Sequence, residues 1–250
     1  MLRHGISASG PMDRGAFDRA GALLERAGST AIEYTQGLEI EVDEPLNVAW
    51  TEARRLEAGD RLVIPPATGN YGYLRLSREL DVPPILGSRS TNVTVGLGGY
   101  KGRALKVGDH LALGGEGVPV TAAPARSNDR EPIRVIWGLH ADLFHPSVRI
   151  QFVESTFTVT PSLDRMGVKL ADPSGVFAAM RHLSLVSDAI VPGDIQILGD
   201  HSPTVLMRDH QSTGGYPRIA TIVTADLDRF AQLRPGTDVR FHPVTPEHAR

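Results

Sequence analysis

The sequence predicts a mainly β protein built as two barrel-like halves with a few short helices. Three observations predict it: apolar residues alternate with period two along most of the chain, 26 Gly and 18 Pro punctuate the short runs, and one glycine-cornered turn recurs. Alternation is the mark of a strand with one buried and one wet face.

The elements follow in order. Asp13 can cap a helix over residues 14–27, where Phe17, Ala20, Leu24 and Ala27 recur at steps of three and four before Gly28 stops it. Leu38, Ile40 and Val42 then alternate with Glu39, Glu41 and Asp43, which reads as a strand. The turn Leu56-Glu57-Ala58-Gly59-Asp60-Arg61-Leu62 returns as Leu105-Lys106-Val107-Gly108-Asp109-His110-Leu111, and more loosely as Leu233-Arg234-Pro235-Gly236-Thr237-Asp238-Val239. In each, Gly takes the tightest point and the Asp can bond a nearby backbone N–H, a structural role. Ile133–Trp137, Val148–Phe152 and Phe157–Val159 alternate as strands. Further helices are expected around Gly175–Leu183 and over 225–233, the latter with Leu227 and Phe230 inward and Pro235-Gly236 beyond its end. The stretch Gly114–Glu131 is poor in large apolar residues and reads as a linker. The halves are therefore set at 1–120 and 130–250.

A formal net charge of −3 without a run of like charge argues against nucleic acid or an anionic membrane as the main partner. No apolar stretch approaches the roughly 18 residues of a spanning helix, and no signal peptide is visible, so a cytoplasmic protein is expected. With no Cys, disulfides, thiolate metal sites and a cysteine nucleophile are excluded. The nine His lack metal spacing; His140 and His145, five apart, do not share a helix face, and no metal site is expected. The sequence lacks a phosphate-binding G-x-x-x-x-G-K-[ST] loop and a G-x-S-x-G elbow.

Four stretches set polar side chains among glycines beyond what a β core requires: Ser9–Arg14, Gly87–Thr91, Ser162–Gly167 and His210–Pro217. Backbone N–H groups at glycines approach a ligand closely, and Arg, Gln, Thr and Tyr add directional donors for a carboxylate, amide or phosphate. Each stretch also reads as a tight turn. Asp13 and Asp164 read first as a helix cap and a turn; for Arg89 and the Gln211–Tyr216 segment both readings stand.

Taken together and in order, the motifs resemble the biotin-dependent carboxyltransferase-domain family, found in urea amidolyase and in the C-type subunit of bacterial 5-oxoprolinase. The resemblance runs from Gly5 to about Ala249 and is carried by Gly10-Pro11-Met12-Asp13, Ala31-Ile32-Glu33, Val82–Thr91, Asp164-Arg165-Met166-Gly167, Val191–Gln196, Thr213–Ala220, Asp226-Leu227 and Ala231–Gly236. It implies two cyclophilin-like β-barrel halves; that the halves pair to form the site is a hypothesis added to it. It also implies a B-type subunit and a separate A-type subunit as partners, in ATP-dependent opening of 5-oxoproline to L-glutamate. The alternatives it leaves are carboxyl transfer to urea, or a non-catalytic partner and antagonist of a B-type subunit that resembles a kinase inhibitor. ATP, and biotin in the carboxylases, enter only through the resemblance.

A resonance-stabilised amide is a poor electrophile and needs fixed donors around its oxygen. Arg89, Gln196 and Gln211 are suited to that catalytic task. Asp13, Ser90, Asp164, Arg165, Thr213, Gly214, Gly215 and Tyr216 are the expected substrate-binding residues. The sequence departs from the family pattern in the first half: it starts just after the family's first strand, so either the start is set too late or the strand is absent and a barrel edge is open; the loop around Val48–Ala53 is cut short; and Ser77-Arg78 stands where relatives carry Gly-Gly.

Overall fold

A computed structural model describes residues 4–7, 9–120, 131–180 and 185–249. The chain divides into two compact units, Ser9–Arg126 and a second made of Met1–Ala8 with Ser127–Arg250. Strands predominate in both, as the alternation predicts.

In the Ser9–Arg126 unit, Ala31–Tyr34, Gly72–Leu76, Leu46–Ala49 and Ala53–Leu56 form a four-stranded antiparallel sheet in that order, and Leu38–Glu41 pairs with Arg61–Ile64. Their inward residues make one core, with Val48, Leu62, Ile64 and Leu74 fully buried. Asp13 caps the helix Arg14–Gly21, its Oδ1 accepting the Ala16 N–H at 2.7 Å. Replacing Asp13 by Ala is expected to cost about 1 kcal/mol, the usual worth of such a cap. Urea denaturation measures it.

The helix ends well before residue 27. The Arg75 guanidinium lies 3.7 Å from the Phe17 ring and donates to the Phe17 and Gly28 carbonyls at 2.8 and 2.7 Å. The chain turns there, and Arg26–Ala27 pairs as strand with Val118–Pro119. The same pairing corrects the linker reading, as does Leu113–Glu116, which pairs with Arg78–Leu80. The glycines that made this stretch look like a linker are sites of close approach: a Cβ on Gly117 would meet the Ala27 carbonyl carbon at 2.3 Å. Residues 121–130, the rest of that reading, lie outside the described residues.

In the second unit eight strands form one sheet, ordered Asp238–Val239, Phe157–Leu163, Gly167–Ala171, Pro203–Leu206, Asp194–Ile197, Arg218–Ile222, Ile133–Trp137 and Phe241–Pro243. The first and last of these are separated in the chain by Arg240 alone, so the sheet must curl until its ends nearly meet. The result is a near-closed barrel. Its interior holds Phe157, Phe177 and Phe241 together with Phe152, which stacks on Phe241 with ring centroids 5.1 Å apart.

Phe152 belongs to a helix, Pro146–Glu154, where alternation predicted a strand over Val148–Phe152. His145 accepts the Ser147 N–H at 3.3 Å and Pro146 takes the first turn, a start that overrides the pattern. Ile150, one of the three residues of the apparent apolar face, is 58% exposed. Around Gly175–Met180 the chain forms turns where a helix was expected: Asp172 accepts the Phe177 N–H at 3.1 Å and Gly175 has φ +65°. Residues 181–184 of that expectation lie outside the described residues.

The third helix, Thr224–Ala231, buries Leu227 and Phe230 as expected. It also carries Asp226, which accepts the Arg134 N–H at 2.8 Å and Arg134 Nη2 at 2.7 Å, with Arg229 at 3.4 Å. Burial alone would raise the Asp226 carboxyl pKa, but these donors overcome it and hold it below the ordinary value. A folded-state pKa below the unfolded one gives stability that is present above about pH 4 and lost as pH falls through the folded value. Asp226→Asn is therefore expected to cost about 2 kcal/mol at pH 7 and less at about pH 3. Denaturation at the two pH values checks the sign.

The recurring turn has the expected geometry. Gly59, Gly108 and Gly236 have φ +87°, +87° and +86°, and the Asp60 and Asp109 carboxylates accept the N–H groups of Glu57 and Lys106 at 2.8 and 2.7 Å. Val191-Pro192-Gly193-Asp194 is a further copy, with Gly193 at φ +95° and Asp194 accepting the Val191 N–H at 3.0 Å. Asp60 is exposed, whereas Asp194 is buried and takes further partners.

Candidate functional site

Strand alternation fixes which side chains of the barrel point inward. Val168, Leu170, Ile195 and Val205 fill it, so Lys169, Gln196 and Thr204 project from its outer face. Register then sets Lys169 opposite Thr204, Thr204 opposite Gln196, and Gln196 opposite Arg218. A row of four polar residues thus crosses four adjacent strands.

Gln196 is only 1% exposed although it lies on the outer face. The two-stranded ribbon of Asp188–Ala189 paired with Thr213–Gly214 covers it. A Cβ on Gly214 would stand 2.7 Å from Gln196 Nε2, so glycine is what lets the ribbon and the amide meet. Arg218 fastens the ribbon: Nη1 donates to the Ala189 carbonyl at 2.7 Å and to Asp194 at 3.3 Å, and Nη2 to Asp188 at 2.9 Å. Asp194 also accepts the Thr221 hydroxyl at 2.6 Å. The Ala189 N–H, then Arg218, hold the Asp188 carboxyl below its usual pKa. His140 Nδ1 accepts the Arg218 backbone N–H at 3.3 Å, which requires an unprotonated Nδ1. Burial, then the Arg218 charge, lower its pKa accordingly.

The neighbouring turn joins the same end of the barrel. Asp164 Oδ1 accepts the N–H groups of Met166 and Gly167 at 2.7 and 3.0 Å, which closes the turn. Arg165 forks onto Asp209 at 2.8 and 3.0 Å, while the Asp209 N–H returns to the Arg165 carbonyl at 2.7 Å. This anchors the segment that continues through His210 into Gln211. His210 is buried, its Nδ1 meets the Gln211 carbonyl, and burial lowers its pKa. Gln211, Thr213 and Tyr216 are exposed, and the Gly215 carbonyl accepts the Leu185 N–H at 3.0 Å.

Gln196, Asp164, Arg165 and the Gln211–Tyr216 residues therefore share one unit and one connected set of contacts. Asp13, Arg89 and Ser90 belong to the other unit. There Asp13 also donates its N–H to Tyr73 Oη at 2.8 Å, and Tyr73, kept protonated chiefly by burial, donates to Glu33 at 2.8 Å. Arg89 is exposed and donates to the Val82 carbonyl and Ser29 Oγ, each at 3.2 Å; the Ser90 N–H donates to Ser88 Oγ at 3.1 Å. A groove of about 500 Å³ in that unit, lined by Arg26, Asn47, Arg54, Arg55 and Arg78 among others, includes none of the sequence-derived candidates.

Sequence reasoning missed Thr204, Asp188, Asp194, Asp209 and Arg218 as members of this cluster. Asp194 and Arg218 stood inside quoted motifs, and the turn copy at Val191–Asp194 was the available signal for the former. Among the described residues no group of three or more His, Cys, Asp or Glu could hold a metal, and no helix is long and apolar enough to cross a membrane.

Fold and cluster define a β-barrel domain with a capped polar outer face. The chain belongs to the carboxyltransferase domain, subdomain A and B, family, whose model matches residues 4–243. It is 32% identical to the C subunit of 5-oxoprolinase from Escherichia coli over 280 residues, covering 99% of this chain and 87% of that one. Urea amidolyase of Saccharomyces cerevisiae is 28% identical over 99% of this chain, which spans only 16% of that protein. The crystal structure of Kluyveromyces lactis urea carboxylase superposes with a TM-score of 0.86 at 26% identity, over all of this chain and 26% of that one.

Proposed function

We propose that this chain acts as the C-type subunit of a 5-oxoprolinase, opening 5-oxoproline to L-glutamate at the expense of ATP in complex with a B-type subunit and a separate A-type subunit. The observation that carries this reading is likeness in sequence: 32% identity to the Escherichia coli C subunit of 5-oxoprolinase over 280 residues, above the 28% to the Saccharomyces cerevisiae urea amidolyase. Carboxyl transfer to urea is the second reading, favoured by the TM-score of 0.86 to urea carboxylase.

Both substrates are small amides. Ring opening adds water across the amide C–N bond and leaves a carboxylate and an amine, and its barrier falls when a fixed donor stabilises charge building on the carbonyl oxygen. Gln196 supplies such a donor: a buried amide N–H held by a rigid sheet and turned toward the glycine ribbon. Asp188, Asp194 and Arg218 position the ribbon, and Arg165 with Asp209 positions the segment leading into it.

ATP fits this cluster poorly. Its cations are already committed, Lys169 to Asp200 at 2.6 Å, Arg165 to Asp209, and Arg218 to Asp188 and Asp194. The nucleotide is therefore assigned to the partner subunits, and its use suits a cytoplasmic complex. Biotin's ureido ring carries the same neutral carbonyl and N–H pair as the substrates, so Gln196 and Thr204 fit it; bound, it would supply the carboxyl group in the urea reaction.

The test is to copurify the chain with its B-type and A-type partners and assay glutamate release from 5-oxoproline. ATP-dependent release is the expected result. A stable complex that turns over neither 5-oxoproline nor urea would contradict an enzymatic role.

A further inference from the structure

Along the outer-face row Gln196 Nε2, Thr204 Oγ1 and Arg218 Nε are buried without a hydrogen-bond partner among the described residues, and of these only Thr204 Oγ1 can accept. Each such atom costs about 1–3 kcal/mol relative to a satisfied one. Here two of them stand together. Gln196 and Thr204 are directly opposite in the antiparallel pair, which puts their Cβ atoms about 5 Å apart. Ile195 and Val205 fill the barrel interior, so the two side chains share the outer face. One atom is an N–H donor and the other a hydroxyl that accepts.

A donor beside an acceptor matches a molecule that presents an acceptor and a donor along one edge. An ordinary peptide bond is trans and points its C=O and N–H in opposite directions. A lactam is locked cis by its ring, and urea always has an N–H on the same side as its oxygen. We infer that Gln196 and Thr204 form a paired reader of the cis-amide edge, Gln196 donating to the carbonyl oxygen and Thr204 accepting from the N–H. The inference rests on the reading above, that the substrate is a small amide, and it adds the feature by which that substrate is chosen. It also explains release: once the ring opens, the cis edge no longer exists and the product cannot satisfy both atoms.

The experiment is a calorimetric titration of the purified complex, without ATP, using 5-oxoproline, urea, and their N-methylated counterparts (N-methyl-5-oxoproline and tetramethylurea). The wild type is expected to bind at least one parent and to reject its methylated form by about 10²-fold or more, because methylation leaves the hydroxyl facing a methyl group. Thr204→Val should weaken the parent about tenfold and leave the methylated form unchanged, while Thr204→Ser restores the selectivity. Equal binding of parent and methylated ligand by the wild type overturns the inference, as does a Thr204→Val loss shared by both. Binding of neither parent overturns it too. Glutamate release by the wild-type complex separately tests the underlying reading, so selectivity can fail while turnover stands.

Discussion

Gln196→Leu should abolish most turnover while leaving the protein as stable as before, or more so. The buried Nε2 lacks a partner in the described structure, so replacing the amide with an apolar side chain of similar size removes an unmet donor. The expected change in stability lies between zero and a gain of about 1 kcal/mol. Loss of a donor aimed at a developing oxyanion costs about 10²–10³ in kcat. A residue that merely held the ribbon would show the reverse, with stability falling and kcat following only as folded protein is lost. Steady-state kinetics of the complex beside urea denaturation of the chain separates the two, and a destabilisation above about 1 kcal/mol would assign Gln196 a structural role.

Arg218→Met should have the largest effect on stability. The guanidinium is almost wholly buried and bridges Asp188, Asp194 and the Ala189 carbonyl. Removing it leaves the buried Asp194 carboxylate, among the described residues, with the Thr221 hydroxyl and the Val191 N–H as its side-chain hydrogen bonds. Truncating one partner of a buried ion pair costs about 3–5 kcal/mol, most of it the charge left behind. Adding Asp194→Asn to the same chain should recover part of that loss, because the two changes act on one network. The ribbon should loosen as well, with faster amide exchange at Ala189 and Thr213. A cost below about 1 kcal/mol would mean that Arg218 behaves as a surface pair and does not hold the ribbon.

Much of this architecture was legible because it is local. The strands at Leu38–Glu41, Ile133–Trp137 and Phe157–Leu163, the Asp13 cap and the Gly–Asp turns are each set by neighbours a few residues away. Where local patterns competed, the reading went wrong. Val148–Phe152 alternates like a strand, but His145 and Pro146 start a helix that leaves Ile150 in water. Gly114–Gly117 looked like a linker because glycine marks both flexible chain and close-packed strands, and only pairing across the unit tells them apart.

The site divides along the same line. Gln196 and the Thr213–Tyr216 residues could be singled out through a family motif, whereas Thr204 could not. In sequence it is an ordinary polar position between Pro203 and Val205. Its place beside Gln196 comes from the register of two strands joined by a turn, and its missing partner from the packing above them. Arg218 likewise looks like any strand arginine until the ribbon folds onto it. Non-local pairing, not residue type, carries that information.

The most direct test of the account is a crystal structure of the chain in complex with its B-type partner and 5-oxoproline. The lactam oxygen should lie within about 3 Å of Gln196 Nε2, beneath the Thr213–Gly214 strand. Ordered 5-oxoproline bound elsewhere, with the Gln196 amide still closed against Gly214, would contradict it.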